Sequence, residues 1–256
     1  MKIKNYFLFF VLLLIFIGCS KEDDNNKPVI NKSANLKALG FSANELISDE
    51  KFTSIKIEVV YVNGFQPTQT TLDNLEEFLG KRSFKPDGIS ITTRAVSSSN
   101  KAPFNIDEIV QIEADERTAY NAGDEIAIFI YFADGSNEND TDTKIILGSA
   151  YRNTSMVIYG KTIQNIANHS AGINKSTIES TVINHEFGHL FGLVNLGTTP
   201  QSNHEDENSK GHCKVSNCLM ATSLQFGGSM IRQVNNNTIP ELDGLCIADL
   251  QANGGR

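Results

Sequence analysis

The chain has 256 residues, with 22 Lys and Arg against 30 Asp and Glu, and 4 cysteines. An acidic balance without a basic stripe argues against a nucleic-acid partner. No apolar run is long enough to span a bilayer comfortably, and the roughly 200 residues beyond the N-terminal region suit one domain.

Lys2 and Lys4 precede an unbroken apolar run of 12 residues, Tyr6 to Ile17, which has the proportions of a secretory signal over residues 1–18. The run ends in Phe16-Ile17-Gly18-Cys19. This resembles a bacterial lipobox, in which Cys19 becomes the lipidated N-terminus; the alternative is an ordinary signal peptide with a stray cysteine. Removing Lys2 and Lys4 takes the formal charge from −8 to −10. Ser20 to Asn35 is polar and cannot bury enough surface to fold alone, so residues 19–50 are expected to form a flexible tether and 51–256 the folded domain. Ser20-Lys21-Glu22-Asp23-Asp24 resembles the surface-export signals of Bacteroidetes lipoproteins, although a merely solvated acidic linker would look the same. The expected location is outside the cytoplasm, lipid-anchored to the outer membrane. Membrane contact would come only through that anchor, and the protein would be a monomer.

Within the domain, Phe52 to Val62 alternates Ile55, Ile57, Val59 and Tyr61 and predicts a largely buried strand. Leu72, Leu75, Phe78 and Leu79 have helical spacing, and Gly80 is expected to end that helix. Gly88 to Val96 reads as a strand, and Ile106 to Tyr120 as a helix. Glu125 to Phe132 is nearly continuously apolar, as in a strand buried on both faces. Asp134 to Thr143 is a polar loop. Ile145 to Tyr151 and Ser155 to Tyr159 are two further strands, and Ile178 to Phe191 is a helix opened by a Ser176/Glu179 capping box. Val194 to Asn217 reads as loop, and Asp243 to Leu250 as a short last helix. Strands alternating with helices, then an irregular C-terminal part, suggest an α/β (α+β) sandwich with a smaller subdomain.

His185-Glu186-Phe187-Gly188-His189 fits H-E-x-x-H. Residues i and i+4 of a helix lie on one face, so two imidazoles there can reach one zinc. Glu186 lies beside the metal rather than on it, placed as a general base for a metal-activated water. The stretch from His185 to Leu193 resembles the metzincins, zinc peptidases whose third histidine would fall at position 195, where this chain has Asn195. Further on, His212-Cys213-Lys-Val-Ser-Asn-Cys218-Leu219-Met220 resembles the H-C-x4-C-x-M segment of the archaemetzincins. That resemblance implies a zincin-like sandwich with a mixed sheet and an active-site helix. It implies one catalytic Zn2+ on His185, His189 and His212, with Met220 forming the Met-turn beneath it. It also implies an insertion between the glycine turn and the third ligand, with Leu147 to Tyr159 as a substrate-aligning edge. A specificity wall would lie in Ala221 to Pro240. His204, Asn195 and Glu207 remain alternative third ligands.

Archaemetzincins hold a second zinc with cysteines that include a later C-x-x-C pair. Here only Cys246 follows, so a four-cysteine site cannot form. In an exported, oxidising setting a disulfide is expected instead, between Cys213 and Cys218 or from one of them to Cys246. The expected activity is hydrolysis of peptide bonds in a peptide or protein substrate. A non-catalytic surface protein that keeps the fold for adhesion is the main alternative, and a metal-free inhibitor or assembly factor is a third.

Overall fold

The computed structural model describes residues 31–170, 172–222 and 237–256. The signal segment, Cys19 and most of the expected specificity wall lie outside them. The described elements are helices α1 (Ala43–Ile47), α2 (Gln69–Arg82), α3 (Ile106–Glu116), α4 (Gly160–His169), α5 (Lys175–Leu190) and α6 (Gly244–Ala252), with strands β1 (Ser54–Val62), β2 (Gly88–Val96), β3 (Glu125–Phe132), β4 (Gly148–Arg152), β5 (Ser155–Ile158), β6 (Glu205–Asp206) and β7 (Ser209–Cys213). Strands β2-β1-β3-β5-β4 form one sheet, and β6 and β7 a separate hairpin. The large sheet is parallel except for β4, which runs antiparallel to β5 at the edge.

Side-chain alternation splits the core into two layers. Ile55, Ile57, Val59, Ile126, Ile128, Ile130, Met156 and Ile158 face the side that holds α2, α5 and the C-terminal part. Val60, Val62, Phe129, Tyr131 and Val157 face α3, through Ile109 and Ile112. Both faces of β3 are therefore covered, and this is why its sequence reads as one apolar run.

The structure departs from expectation at the β6–β7 hairpin, which lies in the segment 194–217 read as loop, and at the following places. Residues 31–50, placed in the tether, pack onto the domain instead. Leu46 and Ile47 are buried in the core, and the Asn35 side chain donates to the Ala127 carbonyl and the Asn121 and Thr154 side chains. A short polar stretch can be fixed when the domain supplies the hydrogen-bond partners that it lacks alone. Gly80 does not end α2. The helix runs to Arg82, and Ser83 stops it by donating its hydroxyl to the Leu79 carbonyl. The Ser176/Glu179 capping box does not form, because α5 begins at Lys175 behind Asn174. The Glu179 carboxylate instead accepts from Thr68 N and Thr71 Oγ1, tying the start of α2 to α5. Helix α4 has no counterpart in the sequence reading. It buries only Gly160 and Ile163, too narrow a stripe to signal a helix by period.

Candidate metal centre

Helix α5 is enclosed on every side, with each residue from Thr177 to Leu190 buried. Two glycines permit its environment. At Gly192 the backbone takes φ +69° just past the helix, the left-handed turn that glycine tolerates best. At Gly188, midway between the two histidines, a Cβ would stand 2.1 Å from Met220 Sδ. The thioether of Met220 therefore lies against the bare backbone of the turn that carries the site.

The rings of His185, His189 and His212 form a compact triangle. Their centroids are 4.8 Å apart for His185–His189, 5.3 Å for His185–His212 and 5.1 Å for His189–His212. One ring nitrogen of each lies within 4.8 Å of the others. Of the third-ligand options, the structure brings His212 to the helical pair. Asn195 has a left-handed backbone and its side chain bonds to Glu205. Glu207 is exposed, and His204 belongs to a different cluster. The insertion between Gly192 and His212 carries the β6–β7 hairpin, which brings His212 back to the helix.

The tautomers suit a metal. His185 Nδ1 donates to the Leu219 carbonyl at 2.7 Å, and His212 Nδ1 to the Lys210 carbonyl at 3.1 Å. Each Nε2 is thereby left with its lone pair, and both are buried without a hydrogen-bond partner among the described residues, as is His189 Nδ1. One ring nitrogen from each of three buried histidines, gathered within 4.8 Å, fits a divalent cation such as zinc. Burial, with the nearby His212, pushes His185 down to about 3. Burial and the two neighbouring imidazoles hold His189 well below its ordinary range. Burial also lowers His212, against its hydrogen bonds to Lys210 and Ser209. All three shifts favour the neutral ring, the form that binds metal.

Glu186 follows the first histidine and is 1% exposed. Its Oε2 accepts from Ala150 N, on edge strand β4, at 2.7 Å. Burial raises its pKa to about 8, against the lowering effect of that bond. The carboxylate is thus tied to β4, an edge strand of the sheet.

A second cluster lies behind β7. Successive residues of a strand point to opposite faces, so His212 turns to the triangle while Cys213 turns away. Cys213, Cys246, His204 and Asp243 bring one ligand atom each within 4.8 Å of one another. Cys218 Sγ lies 3.6 Å from Cys246 Sγ. No disulfide joins these cysteines; Cys213, Cys218 and Cys246 are all free and buried. This corrects the expected Cys213–Cys218 bridge. Cys213 and Cys246 gather with His204 and Asp243, and Cys218 lies beside Cys246, without pairing. His204, weighed from sequence only as a rival catalytic ligand, belongs here. The signal that could have placed it was a histidine in the insertion just ahead of an odd number of thiols.

No protein-family model matches this sequence, and no curated protein does. Among solved structures the chain is similar to the metalloproteinase-II of Bacteroides fragilis, at 12% identity and a TM-score of 0.38, over 89% of this chain and 58% of that one. It is also similar to archaemetzincin from Methanopyrus kandleri, at 17% identity and a TM-score of 0.50, over 78% of this chain and 96% of that one. At that identity the second likeness speaks to the fold alone: the mainly parallel five-stranded sheet with its six helices matches the archaemetzincin fold.

Proposed function

We propose that the chain is a zinc-dependent peptidase that hydrolyses peptide bonds, with His185, His189 and His212 as metal ligands and Glu186 as general base. The observation that carries this reading is the buried triangle of neutral imidazoles with a carboxylate beside it. A site that only held a structural ion would have no use for that carboxylate. His185, His189 and His212 would hold a zinc ion, which would lower the pKa of a bound water from about 15.7 to about 7 and polarise the scissile carbonyl. A cation on the three histidines would offset the burial that raises the Glu186 carboxyl, and the ionised Glu186 would take a proton from the attacking water on a carboxylate oxygen and deliver it to the leaving amine nitrogen. Ala150 N–H holds the other end of that carboxylate in place. Edge strand β4 offers a backbone beside which an extended peptide can lie. Met220 packs under Gly188 and keeps the ligand-bearing turn in register. An exported, lipid-anchored location, supported by residues 1–19, belongs to the same proposal.

The test combines elemental analysis with cleavage of a peptide library. The wild-type protein is expected to contain zinc and to cleave. Glu186→Gln should keep the zinc of the three-histidine site and lose activity by about 10²–10⁴-fold. Full activity in that variant would remove the general-base role. A zinc-free protein that still cleaves peptides would remove the whole reading.

A further inference from the structure

We propose that a cavity on the face of the sheet opposite the metal centre binds a small zwitterion with an apolar side chain, the chemistry shared by a free hydrophobic amino acid and a short peptide. The cavity measures about 360 Å³, within the range of small-molecule sites. Its walls come from the end of β2, the loop that follows, α3 and β3. Tyr131 turns to the face that carries α3, whereas α5 and its histidines lie on the other. The sheet therefore separates this cavity from the metal centre.

Two hydroxyls without partners mark the interior. Tyr131 lines the cavity and is 1% exposed, and its phenol makes no hydrogen bond among the described residues. Ser99 Oγ, on the loop after β2, is buried and equally without a partner among them. A buried polar group that has given up water without gaining a partner is costly, and a ligand that supplies the partner recovers that cost. Burial, with the charges of Asp134 and Glu116, holds the Tyr131 phenol above its ordinary range. It therefore keeps its proton at neutral pH and can donate.

Charge decides the class of ligand. Lys101 and Asp115 line the same cavity, and neither is in an ion pair among the described residues. Asp115 accepts only from Gln111 Nε2, at 3.0 Å, which leaves carboxylate lone pairs open. Glu116, also at the wall, is already committed, because Arg94 Nη1 donates to it at 2.9 Å. Lys101 and Asp115 are both exposed, so either alone would hold a simple ion weakly. Together they match a molecule that carries both charges. Lys101 and the Tyr131 hydroxyl take its carboxylate, and Asp115 takes its ammonium group. Ser99 Oγ adds a hydrogen bond, and Val96 and Ile112 give the apolar side chain a wall to lie against. The inference does not rest on the peptidase reading, because no metal ligand takes part.

The full chain is titrated with leucine and with leucyl-leucine, and binding is read by saturation-transfer NMR, which also shows whether the dipeptide stays intact. One of the two is expected to bind with a Kd of about 1 mM or tighter. The tighter of them names the source, free amino acid or short peptide. N-acetylleucine and leucinamide each lack one charge and should bind about 10-fold more weakly or worse than leucine. Glycine, without the apolar side chain, should do the same. Lys101→Met and Asp115→Asn lie at exposed positions and should each weaken binding about 10-fold or more. Tyr131→Phe should weaken it about 3–10-fold. His212→Ala should leave it unchanged, because the metal centre lies across the sheet. No binding of either compound up to about 10 mM would overturn the proposal, and this result needs no variant to fold. Full binding in both Lys101→Met and Asp115→Asn would overturn it too, as would loss in His212→Ala with retention in Lys101→Met. Leucinamide or N-acetylleucine binding as tightly as leucine would overturn the zwitterion assignment.

Discussion

Replacing Gly188 by alanine tests whether Met220 supports the active-site helix as the packing indicates. In an open helix the change should stabilise by about 1 kcal/mol, since alanine is the better helix former. Here the new Cβ would lie 2.1 Å from Met220 Sδ and 3.0 Å from its Cε. Met220 is fully buried, so the thioether has no open space to move into. Overpacking of this kind costs about 1–3 kcal/mol. The net expectation is a loss of about 1 kcal/mol, or about 2–4 °C in Tm for a domain of this size. Displacing Met220 also moves the adjacent Leu219 carbonyl, which fixes the tautomer of His185. Zinc affinity at the three-histidine site should then fall about 10-fold or more. Thermal melts followed by circular dichroism, with a competitive zinc titration, read both quantities. A rise of 2–4 °C in Tm with unchanged zinc affinity would refute the reasoning, because Met220 would then lend nothing to that turn.

Other expectations concern the rest of the molecule. His212→Ala should cost the three-histidine site more than about 100-fold in zinc affinity, measured by competition with a chromophoric chelator; an unchanged affinity would mean that another residue is the third ligand. Asn35→Ala should destabilise by about 3 kcal/mol, lowering Tm by about 6–12 °C, because several partners lose their hydrogen bonds together; a tether residue would give no change. Glu58→Gln should be destabilising at neutral pH and progressively less so in acid. Burial alone would raise the Glu58 carboxyl, but hydrogen bonds from Thr118 and Ala119, with the Arg94 charge, hold it below its ordinary 4.5. Its stabilising contribution is therefore complete above about that pH and is lost as pH falls through the lower folded value. Urea melts of the two proteins at pH 7 and pH 3 should show the gap closing, and a constant gap would disprove the assignment.

Some of this was legible in the residues because it depends on local period. The strand Glu125–Phe132 and the helix bearing His185, Glu186 and His189 both follow from patterns within one element. Their side chains meet neighbours at fixed offsets, and offsets are visible in a sequence. The polar stretch around Asn35 was misjudged for the opposite reason. Its own composition cannot fold it, and the partners that hold it, Asn121, Ala127 and Thr154, are about 90–120 residues away.

The candidate site divides along the same line. Two histidines and a glutamate on one helix were determined by spacing alone, because an α-helix fixes which residues share a face. Tertiary structure decided which distant histidine joins them. His204 lies within the insertion and His212 at its end, and both carry the same chemistry. The β6–β7 hairpin, with strict alternation along β7, turns His212 to the helix and Cys213 to the opposite side, where His204 and the other two thiols wait. Whether those thiols pair or gather was likewise decided in space, because a bond between sulfurs depends on a distance of about 2 Å that no count of cysteines contains.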